Sequence, residues 1–345
     1  MKIICSSGPK VSTTEVIHKF YNAGMDIIRF NFSHVDYDTT KNLINYSRKN
    51  LPGLKILQDL QGVKLRVSEK YNRIERKVLP GQELLFCSEN EYLTVKSAFP
   101  HIIPIHFDGK FSSLLTVKTI FMKDATMKFH VKETQNNLIK TTVERGGIIR
   151  ARKALNAPGM DRTQIQLTEK DKRDLKWGLN HSIDIVCLSF VCSNEQIKEL
   201  KKFIRKEIGK NKSTLPKIWA KIETKEGFDN FTSILKNVDG IMLGRGDLAP
   251  EVGLYNVPEI QSVLLKKMKN NKKDFVIATQ ILGSMTQNPI PSRSELNDIY
   301  TCIKNKVTGF MLTSETGIGK YPVLAINTLK EMINKYNNKQ TISLK

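Results

Sequence analysis

Short apolar runs rich in β-branched residues alternate with amphipathic stretches along most of the chain. Such alternation predicts repeated strand–helix units, in which helices join parallel strands and cover the sheet. The predicted strands lie at 3–5, 26–30, 54–57, 183–188, 218–220, 240–243, 275–278 and 309–312. The predicted helices lie at 14–23, 38–48, 169–177, 195–208, 227–235, 258–268, 293–303 and 321–335. This series predicts an α/β protein with a TIM (β/α)8 barrel, and an open doubly wound sheet is the alternative.

One region interrupts this rhythm between residue 64 and about residue 152. There apolar and polar residues alternate with a period of two, Gly, Asn and Asp punctuate the runs, and no helical pattern intervenes. This predicts an all-β insert after strand three. The predicted domains are a first barrel part at 1–63, a β-barrel-like insert at 64–152 and a second barrel part at 153–338, before a frayed tail at 339–345.

The composition is that of an ordinary globular protein, with 40% hydrophobic and 26% charged residues among 345. No apolar run approaches the roughly 20 residues that a membrane-spanning helix needs, and the start of the chain lacks a signal-peptide pattern. The five cysteines are scattered and have no metal-ligand spacing. We therefore expect a cytoplasmic protein without a membrane association or a disulfide framework.

The net charge of +21 raises the question of a nucleic-acid partner. The lysines, however, are spread over the whole chain, and the densest group, at 266–273, fits the solvated end of a helix. We therefore expect no nucleic-acid partner. A positive field would equally attract phosphorylated metabolites, so the charge alone does not discriminate between these ligand classes.

Polar side chains follow the predicted strand ends, where the active sites of TIM barrels lie. They are Arg29, Asn31, Ser33, Asp59, Lys221, Glu223, Asp247, Thr279 and Glu315. Each one alone is explained by a turn or a helix cap. Together they place carboxylates beside fixed positive charge, which suits a divalent metal and an anionic, phosphorylated substrate.

Six segments carry a resemblance to a known family. They read NFSH (31–34), IWAKIE (218–223), GIMLGRGDL (240–248), ATQILGSM (278–285), NPIPSRSE (288–295) and MLTSET (311–316). In the order and spacing of these motifs the chain resembles the pyruvate kinase family. The resemblance implies transfer of a phosphoryl group from phosphoenolpyruvate to ADP, which yields pyruvate and ATP.

The resemblance also implies roles for the charged residues. Glu223 and Asp247 would hold Mg²⁺ (or Mn²⁺), and Arg29 would reach the phosphoryl group. Lys221 would stabilise the transferring phosphoryl group and the enolate, since both gather negative charge in the transition state. Arg245 is interpreted as structural, bracing Glu223 or the turn before Asp247.

The substrate carboxylate and the nucleotide are assigned to further residues by the same resemblance. Backbone amides of Gly246 and Asp247, with the Thr279 hydroxyl, would hold the carboxylate. Thr279 and Ser314 would lie near the face where the enolate is protonated. The insert would close as a lid over the nucleotide, with Asp124 near the active site. The nucleotide would lie towards Asn31, His34, Arg66 and Lys153.

Most members of the family need K⁺, which this chain would bind at the positions of Asn31, Ser33, Asp59 and Leu60. In those members a Glu occupies the position of Lys64, and the substitution resembles the K⁺-independent branch. An ammonium group at Lys64 would supply the positive charge of the bound K⁺. We therefore expect no requirement for K⁺, and the alternative is sequence drift in a divergent copy.

Departures from the family pattern leave other functions open. The chain stops where the family's C-terminal domain begins, so we expect no effector site of that domain and, for a homo-oligomer, contacts through the barrel. Ala249 and Pro250 replace a Gly and an aliphatic residue beside the substrate-carboxylate amides, and Val63 replaces a proline at the lid hinge. The alternatives are an enzyme acting on another enolate or α-keto acid and a non-catalytic regulatory paralogue. Retention of Lys221 and Arg29 argues for catalysis on a phosphorylated substrate.

Overall fold

Eight parallel strands close into a barrel in the computed structural model, which describes residues 1–9, 11–71, 75–99, 101–123, 125–162, 166–209 and 215–337. Numbered along the chain together with those of the insert, they are β1 Lys2–Ser6, β2 Ile27–Asn31, β3 Lys55–Leu60, β13 Ile185–Leu188, β14 Lys217–Ile222, β15 Gly240–Gly244, β16 Asp274–Ala278 and β17 Gly309–Leu312. Neighbouring strands follow chain order, and the pairing of β1 with β17 closes the ring. The predicted TIM barrel is confirmed, and its closure excludes the open sheet.

Side chains fill the interior of this barrel because strand residues alternate between two faces. Buried apolar residues from its strands meet inside, and Trp219 is the largest of them. The outward faces pack against helices in the main apolar core. Both faces of the strands are therefore buried, which explains why they read as continuous apolar runs.

Helices connect the barrel strands and begin at recognisable caps. In chain order the α-helices, of which α3 belongs to the insert described below, are α1 Thr14–Ala23, α2 Tyr37–Asn50, α3 Tyr92–Val95, α4 Glu169–Asn180, α5 Asn194–Ile208, α6 Lys225–Asp229, α7 Phe231–Lys236, α8 Arg245–Val252, α9 Val257–Met268, α10 Arg293–Lys304, α11 Ser314–Gly317 and α12 Pro322–Asn337. Thr168 caps α4, because its hydroxyl accepts the Asp171 backbone N–H at 2.9 Å. Gly24 ends α1 with a φ of 116°, a left-handed conformation that favours glycine.

The helices after three of the strands differ from the prediction. The single helix predicted at 227–235 is split into α6 and α7, because Asn230 leaves helical geometry with a ψ of 8°. Helices α8 and α11 lie where the pattern predicts none. Pro250 inside α8 and the four-residue length of α11 hide both from a periodicity argument. Both helices follow strands directly, so they shape the rim of the barrel.

The insert between β3 and α4 is a second, smaller β structure. Its strands are β4 Leu65–Val67, β5 Arg76–Val78, β6 Glu83–Ser88, β7 Ile103–His106, β8 Thr119–Met122, β9 Met127–Gln135, β10 Leu138–Arg145, β11 Gly147–Ile149 and β12 Ala154–Asn156. Most of them close into a barrel around their own apolar core, while β5 and β11 form a separate pair. The predicted boundary at residue 152 falls short, because β12 pairs with β4 and β8 and belongs to the insert.

Within the described ranges, none of the helices has both the length and the apolar character that crossing a membrane requires. The five cysteines are buried free thiols. The predicted lid residue Asp124 and the predicted tail at 339–345 lie outside the described residues.

Candidate active site

Three barrel strands each turn a polar residue into the barrel near its C-terminal end. In each strand the residue two positions earlier is apolar and fills the interior, so strand alternation points the polar residue inward as well. The pairs are Ile27 and Arg29, Leu57 and Asp59, and Trp219 and Lys221. These side chains meet because the parallel strands end at one rim, although they are far apart in sequence.

The Asp59 carboxylate joins the other two side chains. Its Oδ2 accepts hydrogen bonds from Lys221 Nζ at 2.8 Å and from Arg29 Nε and Nη2 at 2.8 and 2.6 Å. Its Oδ1 accepts the Ser189 hydroxyl at 3.0 Å. Burial would raise the pKa of Asp59, but the two cations hold that pKa below its ordinary value. Asp59 therefore stays ionised and fixes both cations.

Lys221 is a buried ammonium group. Its Nζ also donates to Ser189 Oγ at 2.9 Å and lies 3.8 Å from Glu223 Oε1. Burial lowers the pKa of Lys221, but the carboxylates of Asp59 and Glu223 outweigh burial and raise it above its ordinary value. Because only 6% of the residue is exposed, its charge acts on a neighbouring anion with little screening by water.

Glu223 follows β14 and is enclosed by the backbone. Its Oε2 accepts the Phe190 N–H at 3.1 Å, and Phe190 has a positive φ of 54°. Gly244 leaves room for the carboxylate, since a Cβ at that position would lie 2.5 Å from Glu223 Oε1. Burial, together with the nearby charge of Asp247, raises the pKa of Glu223.

Asp247 lies in the first turn of α8 and holds Lys64. The Lys64 ammonium donates to both carboxylate oxygens at 2.9 Å and lies 5.3 Å from the centre of the Phe190 ring. Burial would raise the pKa of Asp247, but Lys64 lowers it. The turn before Lys64 requires Gly62, where φ is 63° and a Cβ would lie 2.3 Å from the Ser189 carbonyl oxygen. The connection from β3 into the insert thus places the Lys64 ammonium against the carboxylate of Asp247.

Glu223 and Asp247 together suit a divalent cation that prefers oxygen ligands. The charge of Asp247 raises the pKa of Glu223, and a shared cation would relieve this repulsion. Across the part of the chain that the structure describes, no cluster of three or more possible ligands occurs. Mg²⁺ fits such a pair, because it is commonly bound by one or two carboxylates and completes its shell with water and substrate oxygens.

The turn after β16 brings Thr279 to the start of α8. Thr279 Oγ1 accepts the Gly246 backbone N–H at 2.9 Å. Thr279 and Gln280 both have positive φ angles, 68° and 53°. Arg245 Nη2 donates to their two carbonyl oxygens at 2.8 and 3.0 Å. Arg245 is structural, as interpreted from the sequence, but it braces the turn after β16, which is neither of the two partners suggested there, Glu223 and the turn before Asp247.

A cavity of about 550 Å³ opens on the same rim, where β1, β2 and β17 end. The pKa of His34 is lowered by partial burial and by nearby cations that include Arg66 and Lys64. Positive charge beside a cavity of this size favours a small anionic ligand. Four predicted site residues line the cavity: Arg29, Asn31, His34 and Ser314.

Similarity to known proteins covers almost the whole chain. Residues 1–326 match the family model described as pyruvate kinase, barrel domain. The chain belongs to the pyruvate kinase family. It is 32% identical to the pyruvate kinase of Kluyveromyces lactis over 335 residues, which cover 95% of this chain and 66% of that protein. It is 33% identical to the pyruvate kinase of Thermotoga maritima over 342 residues, which cover 98% and 71%. The chain therefore spans about two thirds of the length of these relatives.

Three other residues predicted from the sequence, Arg66, Lys153 and Glu315, have partners within the protein. Arg66 Nη1 donates to the Arg152 carbonyl at 3.1 Å, and the Lys153 ammonium donates to the Ile148 carbonyl. Glu315 is fully buried. Its carboxylate accepts backbone N–H groups of the turns after β16 and β17, at 3.0 and 2.8 Å. Glu315 therefore links two turns of the rim, and both of its carboxylate oxygens already accept hydrogen bonds from the protein backbone.

The positions predicted for K⁺ are already linked to protein groups. Asp59 binds two side-chain cations, the Ser33 N–H donates to Asn31 Oδ1 at 3.2 Å, and Leu60 is buried in β3. The structure places the Lys64 ammonium on the carboxylate of Asp247. Its role as a substitute for K⁺ stays a prediction.

Sequence reasoning overlooked the residues that follow β13. Ser189 contacts both Asp59 and Lys221, and the Phe190 N–H binds Glu223. The rule that rim residues follow strand ends could have found them. A serine and a backbone amide carry no charge, however, so nothing in the sequence singles them out.

Proposed function

We propose that this chain transfers the phosphoryl group of phosphoenolpyruvate to ADP and so forms pyruvate and ATP. An oxygen of the ADP β-phosphate attacks phosphorus, the bond between phosphorus and the enol oxygen breaks, and C3 of the enolate takes up a proton. Membership of the pyruvate kinase family supports this reaction, as do the relatives that carry this name.

The observation that carries the proposal is the buried ammonium of Lys221 on Asp59. Negative charge develops on the transferring phosphoryl group and on the enolate oxygen. A cation that is already fixed needs no reorganisation as this charge appears, so it stabilises the transition state more than the bound substrate. Arg29, on the same carboxylate, would bind the phosphoryl group of the substrate.

Glu223 and Asp247 would hold Mg²⁺ or Mn²⁺. When bound, the ion would polarise substrate oxygens and neutralise part of their charge. The backbone amides of Gly246 and Asp247, at the N-terminus of α8, would bind the substrate carboxylate together with the Thr279 hydroxyl, once the Gly246 N–H exchanges its hydrogen bond to Thr279 for one to the substrate. Thr279 and Ser314 would lie near the face at which C3 takes up its proton, with water as the carrier.

The rim cavity, which Asn31 and His34 line, would hold the phosphates of ADP. The insert would act as a lid that closes over the nucleotide and excludes water, which limits hydrolysis of the transferred group. The phosphates would lie towards Asn31, His34, Arg66 and Lys153.

Three further properties belong to the same proposal. K⁺ is not required, because the Lys64 ammonium supplies a fixed positive charge beside the site. Copies of the chain associate, if they do so, through the barrel. The reaction is expected in the cytoplasm and needs no nucleic-acid partner.

A coupled assay for pyruvate, with phosphoenolpyruvate, ADP and Mg²⁺, tests the proposal. Lys221→Met should lower kcat by at least about 10²-fold, the usual effect of removing a group that stabilises transition-state charge. Lys217→Met is the matched control, because Lys217 begins the same strand at the opposite end of the barrel and is exposed. Equal turnover of wild type and Lys221→Met would refute the role of Lys221. A wild type inactive with both Mg²⁺ and Mn²⁺ would favour a non-catalytic paralogue.

A further inference from the structure

One face of helix α8 carries two carboxylates. Asp247 and Glu251 are four residues apart, so they lie on the same side of the helix, where like charges repel. Pro250 weakens the helix further, because it has no N–H to donate to the carbonyl of Gly246. The helix that presents Asp247 therefore depends on anchors outside itself.

Arg162 is the anchor of Glu251. Its Nη2 donates to Glu251 Oε2 at 2.8 Å, and the two side chains are only 6% and 1% exposed. Its Nη1 lies 3.3 Å from each carboxylate oxygen of Glu226 in α6. The guanidinium therefore links α6, which follows the strand of Lys221, to α8, which carries Asp247. The fork of an arginine can reach two carboxylates at once, which a lysine cannot do with fixed geometry.

Asn156 connects this ion pair to Asp247. It ends β12, a strand in contact with α8, is 6% exposed, and its side-chain amide lowers the pKa of both Asp247 and Glu251. Both connections between barrel and insert therefore reach the same face of α8. Lys64 comes from the first connection, whereas Asn156 and Arg162 come from the second.

We infer that Arg162 is a positioning residue for the divalent-cation site: through Glu251 it holds α8 in the orientation that presents Asp247 beside Glu223. The inference rests on the metal site of the proposed function. Burial raises the pKa of Glu251 to about 7 even beside Arg162. Without Arg162, Glu251 would lose its closest cation, so it would either take up a proton or draw α8 out of position to become hydrated, and both outcomes remove the ion pair that fixes α8. Loss of a partner that orients a metal ligand commonly weakens metal binding about ten- to a hundredfold.

Binding of Mn²⁺ alone tests the inference without turnover. Electron paramagnetic resonance measures the Kd of Mn²⁺ for the wild type and for Arg162→Met, and thermal unfolding is recorded beside it. We expect Kd to rise about tenfold or more in Arg162→Met and to recover only in part in Arg162→Lys. Arg48→Met is the matched control, since it removes another ion-paired arginine, the partner of Asp184. It should lower Tm and leave the Mn²⁺ affinity unchanged.

Glu251→Gln keeps the test decisive if Arg162→Met does not fold, because the amide has nearly the same shape and removes only the ion pair. It should weaken Mn²⁺ binding in the same direction. If Arg162 acts through Glu251, the double variant binds Mn²⁺ no worse than Arg162→Met. Unchanged Mn²⁺ affinity in a folded variant of either residue overturns the inference alone. Absence of Mn²⁺ binding by the wild type overturns the proposed metal site as well.

Discussion

Asp59 shows how much one buried carboxylate can determine at the rim of the barrel. It is 1% exposed, and its two oxygens accept hydrogen bonds from Lys221, Arg29 and Ser189. Exposed ion pairs contribute little to stability, whereas removal of one partner from a buried pair costs about 3–5 kcal/mol. Asp59 therefore stabilises the fold and keeps Lys221 charged and in place.

Asp59→Asn should lower the free energy of unfolding by about 3–5 kcal/mol at neutral pH, because two buried cations lose their common anion. The variant should also change the pH dependence. Because the folded state lowers the pKa of Asp59, its contribution is present above the unfolded pKa of about 4 and is lost as the pH falls through the lower folded value. Below about pH 4 the stability of the wild type should fall more steeply than that of the variant. Urea unfolding at several pH values measures both effects.

Asp229→Asn is the control for this experiment. Asp229 forms an ion pair with Lys225 at 2.5 Å, but both side chains are largely exposed. We expect little change in stability from this substitution. If the free energy of unfolding falls equally steeply below pH 4 in the wild type and in Asp59→Asn, protonation of Asp59 does not cause the loss of stability in acid.

The residues of the site could be predicted from the sequence, but most of their partners could not. Lys221 and Asp59 follow apolar runs, so strand alternation and the barrel rule bring them to one rim. The contact of Lys64 with Asp247 depends on how the insert returns to the barrel, which no local pattern encodes. The spacing of Asp247 and Glu251 indicates a shared face only once α8 is known, and the pattern predicts no helix there. It gives no sign, however, that Arg162 is the partner.

At the scale of elements, the turn between β16 and the following helical segment holds backbone strain beside the site. Left-handed conformations cost non-glycine residues about 1–2 kcal/mol, and here two consecutive residues, Thr279 and Gln280, adopt them. Arg245 binds both carbonyl oxygens and so supports the turn. The strained residue Thr279 accepts the Gly246 N–H at the N-terminus of α8. The strain therefore lies where the turn positions Thr279 beside the site.

Gln280→Gly should stabilise the fold, because glycine adopts the positive φ of this exposed position without strain. The free energy of unfolding should rise by up to about 1 kcal/mol. This is less than the full strain energy, because glycine also gains more conformational freedom in the unfolded chain. Gln287→Gly is the matched control, since Gln287 is exposed but has a φ of −120°. It should lower stability by about 0.5–1 kcal/mol. Thermal unfolding of both variants measures the difference, and equal losses in the two would contradict the strain argument.

One element that the periodicity did not reveal, α8, carries a residue of the site, Asp247. Long strands and helices followed from apolar spacing, and the barrel followed from their alternation. Helix α8 has eight residues, an internal proline and two carboxylates on one face, so its own sequence gives it little helical preference. Lys64 and Arg162 bind its two carboxylates from outside, and β12 packs against it. Tertiary contacts of this kind are what a reading of local pattern leaves out.

At the scale of the whole molecule, two sets of positive charge act over different distances. Around the cavity, Arg66, Lys64, Lys170 and Arg152 all lower the pKa of His34, so an anion there meets a local positive potential. The lysines at 266–273 lie in the last turn of α9 and in the loop before β16, which places them at the end of the barrel opposite the rim. Charges are screened beyond about 8 Å at 0.15 M salt but only beyond about 30 Å at 0.01 M. The remote lysines can therefore attract an anionic substrate only at low ionic strength.

Neutralising exposed remote lysines should separate these two contributions. A variant with Lys266→Gln, Lys269→Gln and Lys272→Gln should have a lower kcat/KM for phosphoenolpyruvate at about 0.01 M salt, because the long-range field that steers the anion is weaker. At about 0.15 M the two proteins should be equal, which serves as the internal control for an intact site. Lys267 is left in place, since its ammonium lies 5.7 Å from the centre of the Phe231 ring and its loss would disturb packing. Equal kcat/KM values at both salt concentrations would assign the attraction to the cations at the cavity alone.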